Sequence, residues 1–255
     1  MITSASNEQI KKVIQLKEKA KVRRNEGCFV VEGIKMFSEI PESDLQEVYV
    51  SEQFEKEHGE ALKGVHYQLV SDSVFKKMSD TVTPQGILAI VKMKVYRVED
   101  IIKERKEGKS CFVVLDRLQD PGNLGTILRT GEGAGISGLI MSRDCVDIYS
   151  PKVIRSTMGS IFRVPFVVVD DLKDAVMQLK EHNIVTYAAH LQGELYSSGN
   201  LSEDCAFLIG NEARGLSDEI AELSDKKIKI PMDGKVESLN AAVATAILMY
   251  AHKMQ

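Results

Sequence analysis

Residues 111–129 have the sequence CFVVLDRLQDPGNLGTILR, and this stretch decides the fold class. Its first five residues form a continuous apolar run, which is typical of a strand buried on both faces of a parallel sheet. A loop with proline and glycine follows, and then apolar residues at helical spacing. A buried strand that leads through a polar loop into a helix indicates an α/β fold with crossover helices.

Further apolar runs repeat this alternation toward the C-terminus. They predict strands at 138–141, 164–169, 184–188, 206–209 and 228–230. Helices are predicted around them at 123–132, 151–158, 171–182, 216–223 and 238–253. Because parallel strands need a crossover connection, alternating strands and helices favour a parallel sheet. We therefore predict one α/β domain with a parallel sheet over residues 110–255.

A smaller α/β domain is predicted over residues 1–95. It begins with a helix over 7–23, after which short apolar strands alternate with helical segments. The stretch from 96 to 109 is rich in charge and contains Ile101 and Ile102, so it predicts a linker with a turn or two of helix. The predicted order is thus a small domain, a linker and a larger domain.

The composition is that of a globular protein, with 255 residues, 44% apolar and 27% charged. Apolar runs fall short of the roughly 20 residues that span a membrane, and the N-terminus lacks the pattern of a secretory signal. The cysteines are scattered without a CxxC pair, so we expect buried free thiols, no metal and a cytoplasmic location. They are Cys28, Cys111, Cys145 and Cys205.

The net charge of −4 argues weakly against nucleic acid, but the charge is unevenly distributed. Residues 1–109 hold 19 Lys and Arg against 18 Asp and Glu, whereas residues 110–255 hold 14 against 19. A basic cluster over 11–24 contains seven cations and only Glu18 as an acid. It could neutralise the phosphates of a nucleic acid or be a solvated helix face. The candidate phosphate contacts are Lys17, Lys21, Arg23 and Arg24.

Residues 133–138 match the GxGxxG dinucleotide pattern, but their context is wrong. That pattern must follow a strand and open a helix, because the pyrophosphate binds at the helix N-terminus. Here the glycines follow a helix and precede a strand, which predicts a helix end and a tight turn. A dinucleotide-dependent oxidoreductase is therefore disfavoured.

Three polar loops carry the candidate site residues. Asn123 begins a helix and could be only its cap, whereas Arg129, roughly 9 Å further along that helix, stands among apolar neighbours. A guanidinium there should need a carboxylate or phosphate partner. Glu212 could be that partner or could orient a substrate group. Glu212 lies between Gly210 and Gly215, which allow a close backbone approach to a ligand or a simple surface turn.

The third loop ends at Ser238 and Asn240, before the last predicted helix. Ser238 taken alone would be the helix cap, and Asn240 could face the same loop. Polar loops at the carboxyl ends of strands in an α/β sheet usually form a ligand site. We therefore expect one site built from the three loops.

The segments 123–129 (NLGTILR), 210–215 (GNEARG) and 230–240 (IPMDGKVESLN) resemble the three signature motifs of the SpoU/TrmH family. Its members are S-adenosylmethionine-dependent RNA ribose 2′-O-methyltransferases of the SPOUT class. Residues 24–33 and 84–86 are similar to landmarks of that family's N-terminal RNA-binding domain. The resemblance implies a deep trefoil knot in the C-terminal domain and a homodimer.

The resemblance also implies roles for individual residues. The methyl donor would be held by Gly210, Ile230, Leu239, Ala189, His190 and Met232. The catalytic or substrate-contacting residues would be Arg129, Asn123, Glu212, Ser238 and Asn240. A guanidinium is essentially always charged, so we expect Arg129 to position a phosphate and stabilise developing alkoxide charge rather than accept the proton.

The resemblance favours a guanosine or another nucleotide of large-subunit rRNA as the substrate, with tRNA as the alternative. A non-catalytic RNA-binding protein would keep the basic cluster but lack a working donor site. The sequence does not identify the methylated nucleotide, because RNA recognition depends on RNA shape and on the placement of loops.

Overall fold

The computed structural model describes residues 1–106, 109–197 and 199–255, so residues 107 and 108 of the predicted linker lie outside the described ranges. The chain forms two compact units. The first unit comprises Met1–Lys94 and Asp147–Phe162, and the second comprises Val95–Val146 and Arg163–Gln255. The first unit thus includes residues 147–162, which the sequence analysis assigned to the larger domain over 110–255.

The helices and strands alternate along both halves of the chain. The helices are α1 (Glu8–Glu18), α2 (Ala20–Glu26), α3 (Ile34–Phe37), α4 (Glu52–His58), α5 (Asp72–Met78), α6 (Val98–Lys103), α7 (Pro121–Ala134), α8 (Pro151–Thr157), α9 (Leu172–Glu181), α10 (Asp218–Leu223) and α11 (Ala241–Lys253). The strands are β1 (Cys28–Glu32), β2 (Leu45–Ser51), β3 (Gln68–Val70), β4 (Ile87–Lys92), β5 (Cys111–Leu115), β6 (Gly138–Ser142), β7 (Phe166–Val169), β8 (Val185–Leu195), β9 (Cys205–Ile209) and β10 (Lys226–Lys229).

The first unit contains a mixed four-stranded sheet in the order β1-β4-β2-β3. Strand β4 is antiparallel to β1 and β2, and β2 is parallel to β3. Helix α1 packs its apolar stripe into the core through Ile10, Val13 and Leu16, which are fully buried. Residues three apart share one face of a helix, so this spacing explains why α1 is amphipathic.

The predicted helix over 7–23 is interrupted in the structure. Lys19 adopts an extended conformation, with φ −120° and ψ 108°, and separates α1 from α2. The break brings the Arg23 guanidinium back to the end of α1, where Nη1 donates to the carbonyl oxygens of Leu16 (2.6 Å) and Lys17 (2.8 Å). The last carbonyls of a helix have no partner within it, so Arg23 stabilises the end of α1.

The second unit contains a six-stranded sheet in the order β10-β8-β9-β5-β6-β7. Each neighbouring pair is parallel, which confirms the predicted α/β fold with a parallel sheet. Strand β8 is longer than predicted because it continues beside β10 after a register shift between Lys227 and Ile228. Strands β5 and β9 are neighbours, so the loops that follow them begin side by side.

The core of the second unit forms around the central strands β5 and β9, whose residues are buried throughout. Helices α9 and α10 contribute apolar residues to this core. So does α6, which lies in the predicted linker and buries Val98, Ile101 and Ile102. The apolar residues at helical spacing in this charged stretch are therefore the buried side of a helix that packs against the core of the second unit.

Candidate active site

Asn123 connects the three polar loops of the second unit. Its side chain is buried in the first turn of α7, just beyond the carboxyl end of β5. The Asn123 Nδ2 group donates to Glu212 Oε1 over 3.0 Å, and Asn123 Oδ1 accepts from Asn240 Nδ2 over 2.8 Å. The structure thus brings together one polar residue from each motif, as a continuous hydrogen-bonded chain.

The Glu212 carboxylate also holds the loop that leads into α7. Its Oε2 accepts the backbone N–H of Gln119 over 3.0 Å, and its Oε1 accepts that of Asp120 over 2.8 Å. Burial raises the pKa of Glu212, but the hydrogen bonds from Asn123, Asp120 and Gln119 outweigh it and lower the pKa below its usual value. Glu212 is therefore an ionised acceptor that fastens the first loop to the second.

We expect Glu212→Gln to lower the free energy of unfolding by about 1 kcal/mol, since a neutral amide accepts two N–H groups less well and the site is partly exposed. Because the folded-state pKa is depressed, the carboxylate contributes fully above its ordinary pKa near 4.5 and less as the pH falls through the folded value. When urea unfolding is measured from neutral to acidic pH, the free energies of unfolding of wild type and Glu212→Gln should become more similar as the pH falls.

Glu18→Gln is the matched control for this variant. Glu18 is an exposed residue of α1 in the first unit, and its carboxylate has no hydrogen bond among the described residues. Its replacement should leave the free energy of unfolding unchanged at each pH. If Glu212→Gln behaved like Glu18→Gln, the proposed fastening role of Glu212 would be wrong.

Helix caps at this site differ from those predicted. Helix α7 begins at Pro121 and is capped by Asp120, whose Oδ1 accepts the Asn123 N–H over 2.7 Å. Helix α11 begins at Ala241 and is capped by Asn240, so the predicted start and cap at Ser238 are wrong. Because Asp120 caps α7, the side chain of Asn123 is available for the contacts between loops. Asn240 both caps α11 and makes one of those contacts.

Arg129 is exposed, which corrects the expectation that it lies buried among apolar residues. Of the two roles considered for Glu212, pairing with Arg129 is not observed among the described residues. The buried face of α7 includes Ile127 and Leu128, and Arg129 lies beyond that face because each helical residue turns by about 100°. Within the described ranges, its guanidinium has no hydrogen bond or ion pair. Arg129 thus presents a free cation to solvent on the helix that carries Asn123.

The loop after β9 is closed tightly on itself. The backbones of Asn211 and Gly215 exchange two hydrogen bonds, of 3.0 and 2.9 Å. A Cβ atom added at Gly210 would lie 2.0 Å from the Leu216 nitrogen, so this position admits only glycine. Gly215 has a positive φ of 71°, which glycine adopts without strain. Glycine is therefore needed at 210 because the backbone of Leu216 leaves no space for a Cβ atom. It is favoured at 215 because the backbone there has a positive φ.

A cavity of about 540 Å³ lies beside this loop, a size usual for small-molecule sites. Each residue predicted to hold a methyl donor lines it, together with Glu212 and Ser238. Those predicted residues are Ala189, His190, Gly210, Ile230, Met232 and Leu239. Asn123, Arg129 and Asn240 are not among the lining residues.

The cavity also has walls that the sequence analysis missed. They include Leu191 and Gln192 of β8, and Ala244 and Leu248 of α11. Leu191 and Gln192 were missed because they lie in the part of β8 beyond its apolar stretch, where the sequence has no strand periodicity. The small residues early in α11 were a signal, because a short side chain such as Ala244 leaves space beside the helix.

The basic cluster of the first unit separates into two kinds of residue. Arg23 is 4% exposed, and its guanidinium binds Asp147 in addition to the end of α1, so it is withdrawn as an RNA contact. Lys17 is half-buried and its Nζ donates to the carbonyl oxygen of Met78. Burial lowers the pKa of Lys17. Lys21 and Arg24 are exposed and remain available to a partner.

Crossing a membrane demands a helix both long and apolar, and none in the described ranges meets that demand.

Comparison with known proteins covers both halves of the chain. Residues 110–250 match the model of the SpoU rRNA Methylase family, and residues 7–89 match that of the MRM3-like substrate binding domain. The chain is 33% identical over 252 residues to 23S rRNA (guanosine(2553)-2'-O)-methyltransferase RlmP of Bacillus subtilis, covering 98% of this chain and 97% of that protein.

Two further proteins are similar. Human mitochondrial rRNA methyltransferase 3 (Homo sapiens) is 31% identical, with 76% of this chain and 59% of that protein covered. The crystal structure of the SpoU methyltransferase AviRb from Streptomyces viridochromogenes, in complex with the cofactor AdoMet, superposes with a TM-score of 0.87 at 27% identity, covering 98% of each chain.

Proposed function

This chain belongs to the SpoU rRNA methylase family and is an S-adenosylmethionine-dependent RNA ribose 2′-O-methyltransferase, and we propose that it methylates a nucleotide of large-subunit rRNA. The observation that carries the choice of RNA is the similarity to RlmP over nearly the full length of both chains, because that protein is named for a guanosine of 23S rRNA. We favour a guanosine as the target for the same reason.

The cavity beside residues 210–215 fits a methyl donor of this kind. Its walls combine apolar side chains with backbone groups and a few polar residues, as sites for small cofactors do. Gly210, Ile230, Leu239 and Met232 would hold the donor, together with Ala189 and His190 from the middle of β8. When bound, S-adenosylmethionine supplies an activated methyl group on a sulfonium, so the protein's task is to align and orient.

Arg129 is the residue that we assign to the RNA substrate. It is exposed and free of partners within the described ranges, so binding a phosphate or a developing alkoxide would break no contact of the folded protein. A guanidinium remains charged throughout and can stabilise negative charge at the ribose oxygen. Ser238, which is exposed at the cavity, would contact the substrate beside it.

Asn123, Glu212 and Asn240 act as positioning residues in this proposal. Their hydrogen bonds are made to one another and to backbone N–H groups, so they hold α7 and α11 at a set separation. Helix α7 carries Arg129, and the loop before α11 carries the cavity residue Leu239. The chain of contacts thus aligns the RNA-facing cation with the donor cavity.

The first unit would contribute RNA affinity through the exposed cations Lys21 and Arg24. We expect the double variant Lys21→Ala/Arg24→Ala to weaken rRNA binding and to reduce the slope of log affinity against log salt by about 2, because each phosphate contact releases about one counterion. Filter binding of an rRNA fragment across a salt series measures both effects.

The matched control is Lys56→Ala/Lys63→Ala, which removes two exposed cations from another part of the same unit. This control should keep the wild-type salt slope. If Lys21→Ala/Arg24→Ala kept the wild-type salt slope, Lys21 and Arg24 would be solvent-exposed residues that do not contact RNA phosphates.

We further propose that the second unit is knotted, that the enzyme is a homodimer and that it acts in the cytoplasm. One observation supports the knot. Helix α11 follows the edge strand β10, yet it packs against α7 and the central strands β5 and β9, as a chain threaded back through its own loops would. Sedimentation velocity would test the dimer.

Mapping ribose methylation by mass spectrometry in rRNA and tRNA tests the substrate. Cells that lack this protein should lose one modification in large-subunit rRNA, and the wild-type gene should restore it. Loss of a tRNA modification instead would favour the alternative substrate. If neither RNA changed and calorimetry found no binding of S-adenosylmethionine, the chain would be a non-catalytic RNA-binding protein.

A further inference from the structure

Two thiols and an imidazole meet at the end of the second unit's sheet that lies away from the polar loops. Cys111 is the first residue of β5 and Cys205 the first of β9, and the parallel register pairs them directly. His252 comes from the last turn of α11. One donor atom from each of the three lies within 4.8 Å of the others.

The three side chains are buried, with exposures of 5%, 0% and 9% for Cys111, Cys205 and His252. Thiolate sulfur and imidazole nitrogen are the ligands that zinc prefers in proteins. A tetrahedral zinc site would place such atoms roughly 3.5–3.8 Å apart, given its bond lengths. The cluster therefore needs only small side-chain movements to close around an ion.

The backbone around the cluster already holds these side chains in place. Asp204 accepts the backbone N–H of Ser110 over 2.9 Å, and the Cys205 N–H donates to the Ser110 carbonyl over 2.9 Å. His252 Nε2 lies 2.9 Å from the carbonyl oxygen of Glu203. Metal-bound histidines usually have one ring nitrogen held by such an acceptor, which orients the ring.

We propose that Cys111, Cys205 and His252 bind a zinc ion in a structural site, separate from methyl transfer. Binding forms two zinc–sulfur bonds and one zinc–nitrogen bond, and the two thiol protons pass to solvent. A water molecule takes the fourth position, as in other zinc sites with three protein ligands. The ion would fasten the C-terminal end of α11 to β5 and β9.

Such a site would matter for the active site through the same helix. The other end of α11 is capped by Asn240, which also donates to Asn123. A metal that anchors the last turn of α11 would stabilise the second unit as a whole, because ligands that bind the folded state raise its stability. Zinc binding at this end of the sheet is independent of which RNA is methylated.

Metal analysis of the untagged full-length chain tests the proposal. After expression with zinc, purification under reducing conditions and dialysis, wild type should retain about one zinc ion per chain by native mass spectrometry. Cys111→Ser, Cys205→Ser and His252→Gln should each lower the retained zinc at least about tenfold. Cys28→Ser, which changes a buried thiol of the first unit, should retain zinc like wild type.

A second measurement uses wild type alone, in case the variants fail to fold. Chelator-treated protein titrated with Co²⁺ should develop thiolate-to-cobalt charge-transfer absorption, and Zn²⁺ should abolish that band and raise the unfolding temperature. Absence of the band, zinc retention that survives Cys111→Ser and Cys205→Ser, or a Cys111–Cys205 disulfide in the purified chain would each overturn the proposal.

Discussion

Arg129→Ala should reduce ribose methylation by about 10²–10³-fold while leaving the fold and donor binding intact. The guanidinium is exposed and has no partner among the described residues, so its loss removes no contact of the folded protein. It also lies outside the cavity that we propose holds the donor. A large loss of activity without a loss of stability or of donor affinity is therefore the signature of a residue that acts on the RNA.

The measurement is transfer of a radiolabelled methyl group to rRNA, with calorimetry of S-adenosylmethionine binding on the same preparations. Arg143→Ala is the matched control, because Arg143 is an exposed arginine of the same unit that pairs with Asp170 at the surface. It should transfer methyl groups at the wild-type rate. Near wild-type transfer by Arg129→Ala would contradict the role assigned to Arg129.

Arg23→Ala should destabilise the first unit by about 3 kcal/mol. Removing one partner of a buried ion pair costs about 3–5 kcal/mol, and the lower end applies because the Asp147 side chain is 29% exposed. The substitution also leaves the carbonyl oxygens of Leu16 and Lys17 without their donor. Asp147 begins the segment 147–162, so the loss should loosen that segment together with the end of α1.

Urea unfolding of the full-length chain and hydrogen exchange over α1 and residues 147–162 measure these effects. Arg24→Ala is the matched control, since Arg24 is the next residue of the same helix but is exposed. Its stability should stay within about 0.5 kcal/mol of wild type. Equal stability of the two variants would show that the Arg23–Asp147 pair contributes nothing to the first unit.

Much of the candidate site could be predicted because it combines local motifs with a general property of α/β sheets. Polar residues after parallel strands gather at one edge, so Asn123, Glu212 and Asn240 could be expected to meet. The residues predicted to hold the donor line a cavity for the same reason. What the motifs do not contain is the order of hydrogen bonds that connects them.

The errors in prediction arose where a side chain's surroundings depend on distant parts of the chain. Arg129 stands beside apolar residues in sequence, but one helical step takes it out of the core. Arg23 belongs to a basic cluster in sequence, yet it is buried on Asp147. The cap predicted at Ser238 is supplied instead by Asn240, which the contact with Asn123 holds in place.

By itself the sequence determined the α/β class, the parallel sheet and the family, because these depend on apolar periodicity and on motifs read locally along the chain. Tertiary structure alone decided which loop binds which, which arginine is buried, and that two distant cysteines begin neighbouring strands beside His252. The physical reason is that strand order and register are set by packing of the whole sheet. Contacts between residues far apart in sequence leave no periodic signal in either segment.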